Sequence, residues 1–270
     1  MQVGTIVIDP VFDGTYHHPP TITYGGGRAT EQVWEPHRYL LDENGQLEST
    51  MGGFLVRGGG SDRVALVDLG LGHRDLMGMR GGALLDSLRA AGVAPEDVTD
   101  VLFTHLHLDH IGWASIDGQP TFPNATYRCD AAEWDWVTGS DRSFVRRQRE
   151  IVEPAADRLV TWDADGPVVD GIDALRTPGH TPGSTTLVVS DGDRRALLLG
   201  DVVHCAVELL DDEWDGLFDV DPAQAKAVRN ALVRELEGTD TPVAAAHFPG
   251  LRFGRVLPGE RSGRRFEFVR

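Results

Sequence analysis

The chain of 270 residues carries 42 acidic and 25 basic side chains, a formal net charge of -17. Such acidity repels phosphate backbones and anionic lipid, which excludes nucleic-acid binding and polybasic membrane docking as expected roles. No apolar run approaches the roughly 20 residues that cross a bilayer. Two cysteines, Cys129 and Cys205, are too few for a disulfide framework, and the opening residues do not resemble a secretion signal, so the cytoplasm is the expected address.

In chain order, residues Val3 to Ile8 read as a strand, followed by an irregular polar stretch with Tyr16-His17-His18-Pro19-Pro20 and Gly25-Gly26-Gly27. We read residues 1 to about 50 as an N-terminal arm. Strand-type runs at Gly53 to Arg57 and Arg63 to Leu69 flank Gly58-Gly59-Gly60-Ser61-Asp62, the pattern of a hairpin with a glycine-rich connection. Leu84, Leu85 and Leu88 give Gly82 to Ala91 a helical spacing, and Val98 to Phe103 is a buried strand. A further strand is expected at Ala125 to Cys129. Helices at Ala131 to Val137 and Phe144 to Leu159 are read as an inserted segment spanning about 130–165. Strands follow at Ala174 to Thr177, Thr185 to Ser190 and Arg195 to Leu199, then a helix at Pro222 to Glu237 and a strand at Pro242 to Ala246. Strands in both halves with helices between them, and no visible linker, predict one layered α/β domain over residues 1–270.

The chemistry concentrates in Thr104-His105-Leu106-His107-Leu108-Asp109-His110. Residues two apart at a strand end face the same way, so His105 and His107 present two imidazoles side by side. A turn directly afterwards carries Asp109 and His110 to a neighbouring position, at roughly the 3.5–4 Å that separates paired metals. Two ions need more ligands, and the sequence supplies them at later strand ends. His180 lies in the tight loop Thr177-Pro178-Gly179-His180-Thr181-Pro182-Gly183. Asp201 closes Ala196-Leu197-Leu198-Leu199-Gly200, where a charge is costly unless paired or metal-bound, and His247 closes Val243-Ala244-Ala245-Ala246. His17, His18, His37 and His73 lack this context and remain unassigned.

With these residues in view, the chain resembles the metallo-β-lactamase superfamily from about Asp68 to His247. The resemblance implies a four-layer αββα sandwich, two face-to-face mixed sheets flanked by helices, with two zinc ions at one edge. It implies that His105, His107 and His180 bind one ion, that Asp109, His110 and His247 bind the other, and that Asp201 bridges them. Histidine at position 107 favours zinc, since di-iron relatives usually carry glutamate there. Asp68 is expected to hold the metal loop. Zinc lowers the pKa of bound water to about 7, so the implied chemistry is attack by a bridged hydroxide on a carbonyl or phosphoryl centre, with Asp109 orienting it and taking its proton.

His204, three residues after Asp201, stands where the lactonases of this superfamily place a tyrosine that contacts the substrate carbonyl. The departure weakens the case for acyl-homoserine lactones and is similar to the phosphotriesterase-like branch. His204 is therefore a second catalytic candidate beside Asp109. Trp113, Trp134, Trp136 and Phe248 are candidates for an apolar pocket wall, and Cys205 reads as a small buried residue.

The expected function is hydrolysis of a small ester or lactone, on a chain that relatives suggest as a homodimer. The alternatives are a phosphotriesterase-like enzyme, a glyoxalase II-type thioester hydrolase using Arg252, Arg255, Arg261, Arg264 and Arg265, a mono-iron oxygenase, and a non-catalytic metal-containing binding protein. Asp201 argues against a β-lactam substrate.

Overall fold

Along the strand Ile6–His18, Ile6 and Ile8 point into the core between the sheets, and Val11, an odd number of residues further on, points to the opposite face and into the cluster under the helices. This and the other elements are taken from a computed structural model that describes residues 1–25, 30–259 and 263–269. The N-terminal fifty residues are thus no arm. Ile6–His18 pairs antiparallel along nearly its whole length with Leu47–Arg57, and Tyr16, His17 and His18 belong to the strand. The arm reading fails because Tyr16 and His18, on one face of the strand's far end, line a cavity, while Thr15 and His17 on the other face stay exposed. Of Gly25-Gly26-Gly27, the last two lie outside the described residues, as does Arg261.

The first sheet runs in the order Gln2–Val3, Ile6–His18, Leu47–Arg57, Val64–Val67, Asp100–Leu102, Thr126–Asp130 and Leu159–Trp162. The second runs Gly166–Val169, Ile172–Arg176, Thr185–Asp191, Arg194–Leu198, Val243–Ala244, Gly254–Pro258 and Arg264–Phe268. Between the two sheets, Ile8, Phe54, Val67 and Leu102 meet Leu187, Val189 and Phe253. Outside the first sheet, Leu55 and Val101 pack on Leu84 and Leu88 of the helix Leu84–Ala90 and on Val145 of the helix Ser143–Val152. Outside the second, Leu197 and Val243 pack on Leu232 and Leu236 of the helix Pro222–Leu236. Each such side chain removed from water stabilises the fold by about 2 kcal/mol. The result is the expected αββα sandwich.

The segment read as an insertion is a crossover. Thr126–Asp130 and Leu159–Trp162 are parallel neighbours, and a parallel pair needs a long connection, here Ala131–Gly139, Ser143–Val152 and a 3-10 turn Glu153–Arg158. Leu159, expected at a helix end, begins a strand.

Candidate metal centre

Five loops leave the carboxyl ends of strands and converge on one edge of the sandwich. They follow Val64–Val67, Asp100–Leu102, Ile172–Arg176, Arg194–Leu198 and Val243–Ala244, and they carry Asp68, the histidine motif, His180, Asp201 and His247. The expected turn after His107 is a single helical turn, Leu108–Ile111, with His107 as its N-cap, and it sends Asp109 and His110 into the site. Gly200 has φ +54, and a Cβ there would lie 2.7 Å from the Thr104 side chain, so glycine lets the strand turn sharply just before Asp201.

The ring nitrogens converge in two groups. His107 Nδ1 lies 3.1 Å from His105 Nε2 and 3.0 Å from His180 Nε2. Asp109 Oδ2 lies 3.5 Å from His247 Nε2, and His110 joins these two in a second set of donor atoms close enough to share an ion. Asp201 stands between the groups. Its Oδ2 is 3.8 Å from His105 Nε2, 3.5 Å from His180 Nε2 and 3.2 Å from His247 Nε2, and its Oδ1 is 3.3 Å from His110 Nε2. All seven residues singled out in the sequence are therefore brought together.

The surroundings fix which nitrogen of each ring faces inward. Nδ1 of His110 donates to Asp68 (3.0 Å), Nδ1 of His180 to Asp219 (3.0 Å), and Nδ1 of His247 points at the Thr50 carbonyl (3.3 Å). With the proton on Nδ1, the Nε2 lone pair of each ring points into the site, the arrangement that metal-binding imidazoles require. His110 Nε2 and Asp201 Oδ1 are buried without a hydrogen-bond partner, a costly condition that a shared cation relieves. Burial and then the neighbouring His110 drive His105 well below its ordinary pKa; burial and then His180 do the same to His107. Burial opposes charge on His110 as well, yet Asp201 and Asp68 outweigh it and raise that pKa well above the ordinary value. His105 and His107 thus present neutral lone pairs, and His110 draws positive charge. The donor set of imidazoles and carboxylates fits zinc.

Asp68 behaves as expected. It accepts from the Thr104 backbone N–H (2.9 Å) and hydroxyl (2.7 Å) while orienting His110, and it does so with φ +59, a strained conformation for a residue with a Cβ. Sequence reasoning missed Asp219 and Glu133. Glu133 is fully buried and accepts from Leu106 N–H (2.9 Å) and Gly183 N–H (3.0 Å), clamping together the loops that deliver His105, His107 and His180. Only its position directly after a strand, at the start of a helix, marked it.

A cavity of about 200 Å³ opens over Asp109, Asp201 and His247. Its apolar wall is Ile22, Met51, Met77, Met79, Phe144 and Phe218. The aromatic candidates do not form it: Trp113 and Phe248 are core residues, and Trp134 and Trp136 pack against the first sheet's outer cluster, Trp136 reaching within 6.1 Å of the His107 ring. His18, left unassigned, does line the cavity. Of the C-terminal arginines, Arg252 lies over the Phe268 ring (4.0 Å to its centre), Arg255 pairs with Asp240 (3.5 Å) and Arg264 with Asp212.

Residues 53–247 match the metallo-beta-lactamase superfamily. The chain belongs to that superfamily. Among similar proteins, an N-acyl homoserine lactonase of a Bacillus species is 29% identical over 43% of this chain and 42% of its own length. The N-acyl homoserine lactonase AttM of Agrobacterium fabrum is 29% identical over 48% and 49%. The chain thus spans about half the length of these curated relatives in the matched region. The crystal structure of the hydrolase AbOPH of the beta-lactamase superfamily superposes with a TM-score of 0.86 at 25% identity, covering 100% of this chain and 96% of the other. The dizinc quorum-quenching lactonase AidC shares the fold, with a TM-score of 0.84 at 22% identity, covering 100% and 95%. No helix among the described residues is long and apolar enough to cross a membrane.

Proposed function

We infer that the chain is a dinuclear zinc hydrolase that opens a lactone or cleaves a small ester carrying an apolar acyl group. The observation that carries this reading is Asp201, a buried carboxylate with imidazoles of both histidine groups within 3.8 Å. In this reading His105, His107 and His180 hold one ion, Asp109, His110 and His247 the other, and Asp201 both, in one domain. Bound zinc would supply an acidic water and polarise a carbonyl oxygen.

The chain's own residues do the rest. Asp109, at the cavity floor, takes the proton of the attacking water on its carboxylate and returns it to the leaving alkoxide oxygen. His204 Nε2 faces the cavity 3.7 Å from Asp201 Oδ2 and donates to the substrate's acyl oxygen. The methionine and phenylalanine wall takes the acyl chain and excludes water. The lactonase relatives support a lactone; His204 favours a phosphotriester as the second reading.

The test is a panel of lactones, chromogenic esters and a phosphotriester offered to zinc-loaded protein. Lactone or ester turnover is expected, and His204→Ala should lower it without loss of zinc. Fully loaded protein inert on the whole panel would make the chain a metal-containing binding protein instead.

A further inference from the structure

Behind His204 lies a buried polar network that the metal centre does not use. Glu208, on the 3-10 helix Ala206–Leu209, is fully buried. Its Oε1 accepts from the Tyr24 hydroxyl (2.5 Å) and from the His204 backbone N–H (3.1 Å), and lies 3.5 Å from His204 Nδ1. Its Oε2 accepts from Arg229 (3.2 Å), itself buried and bonded to the Trp214 carbonyl. Burial alone pushes the Glu208 carboxyl up, but His204, Arg229 and Tyr24 overcome it and hold the group at about 2, an anion.

A buried anion locked on three sides is a rigid mount for the fourth group that faces it. That group is His204. Neither of its ring nitrogens has a hydrogen-bond partner, and its ring lies parallel to that of His247 at 6.3 Å. Such contacts are often long without substrate and tighten when it binds. We propose that Glu208, braced by Tyr24 and Arg229, is a positioning residue that fixes the His204 ring with Nδ1 toward Glu208 and Nε2 over the metal centre.

This rests on the hydrolase reading for its kinetic consequence, though not for its geometry. A mere packing role for Glu208 would lower stability without holding a proton on His204 Nδ1. The experiment compares wild type, Glu208→Gln, His204→Ala and the double variant, all zinc-loaded, by steady-state kinetics, metal content and long-range proton–nitrogen NMR of labelled histidine. The His204 signals are assigned by their loss in His204→Ala.

Glu208→Gln should keep its zinc, lower kcat about tenfold to a hundredfold and leave KM within about twofold, with no further loss in the double variant. Its NMR spectrum should show the His204 Nδ1 signal shifted away from that of a protonated nitrogen. Fully additive kinetic losses, or unchanged His204 signals, would overturn the proposal. Should Glu208→Gln fail to fold, Tyr24→Phe carries the test through the same signals, unchanged shifts again overturning it. If no substrate is found, the hydrolase reading fails, while the NMR comparison still decides the role of Glu208.

Discussion

Asp13 and Asp201 are both buried carboxylates, 2% and 7% exposed, and each is surrounded by five nitrogen-bearing groups. Around Asp13 the five are N–H donors: the backbones of Leu71 (2.7 Å), Gly72 (2.9 Å), Gly82 (2.9 Å) and Leu84 (3.1 Å), and the indole of Trp113 (2.7 Å). Around Asp201 the five are the imidazoles of His105, His110, His180, His204 and His247, and its Oδ1 has no hydrogen-bond partner. The first carboxylate is saturated and holds the Leu71–Leu84 loop, with its hairpin strands Asp75–Leu76 and Met79–Arg80, against the sheet. The second has one oxygen within reach of His247 Nε2 (3.2 Å) and the other buried without a partner, so its environment is complete only with a cation. A satisfied carboxylate is scaffold, and an unsatisfied one marks chemistry.

The largest expected effect breaks the second region. Asp201→Ala should lose at least one zinc equivalent, read by elemental analysis, and lower kcat/KM about a thousandfold or more, while the fold persists. Asp13→Ala should do the reverse. Leaving several buried donors without an acceptor costs about 3 kcal/mol or more, visible in urea unfolding, with zinc content unchanged in the molecules that fold. Zinc loss from Asp13→Ala equal to that from Asp201→Ala would erase the distinction drawn between them.

A third test sharpens the comparison with pH. Glu208 sits at about 2 in the folded chain against an ordinary 4.5, so its contribution, about 3 kcal/mol, is complete above pH 4.5 and is lost as pH falls toward 2. Acid unfolding of Glu208→Gln should therefore be flatter across that window; an unchanged acid limb would show that Glu208 is not held as an anion. The smallest effect is expected at Met77, an exposed residue at φ +53 on the cavity rim. Met77→Gly should raise KM for a long-chain ester about threefold and leave kcat unchanged, with stability within about 1 kcal/mol. Equal KM values for short and long chains would remove the rim from substrate binding.

The two regions also differ in how far the sequence discloses them. His105, His107, Asp109 and His110 crowd ligand-type side chains into six residues, and His180, Asp201 and His247 each close an apolar or tightly turned run, so their cost without a metal is visible in the order of residues alone. Asp13 is different. It is one aspartate among many, turned inward where the pairing with Leu47–Arg57 slips between Phe12 and Gly14, and its donors come from residues 58 to 100 positions away. Glu208 and Glu133 were hidden for the same reason, since their partners are backbone groups and distant side chains. The sandwich's central strands were legible from apolar runs. The short edge strands Gly166–Val169 and Arg264–Phe268 were not, because partly exposed strands lack such runs.

The most direct test of the account is the metal content of the chain purified without chelator, measured alongside lactone and ester turnover as zinc is titrated back into stripped protein. Two zinc equivalents per chain are expected, with activity that rises as they return. Less than one equivalent of any transition ion, with no uptake on titration, would contradict it.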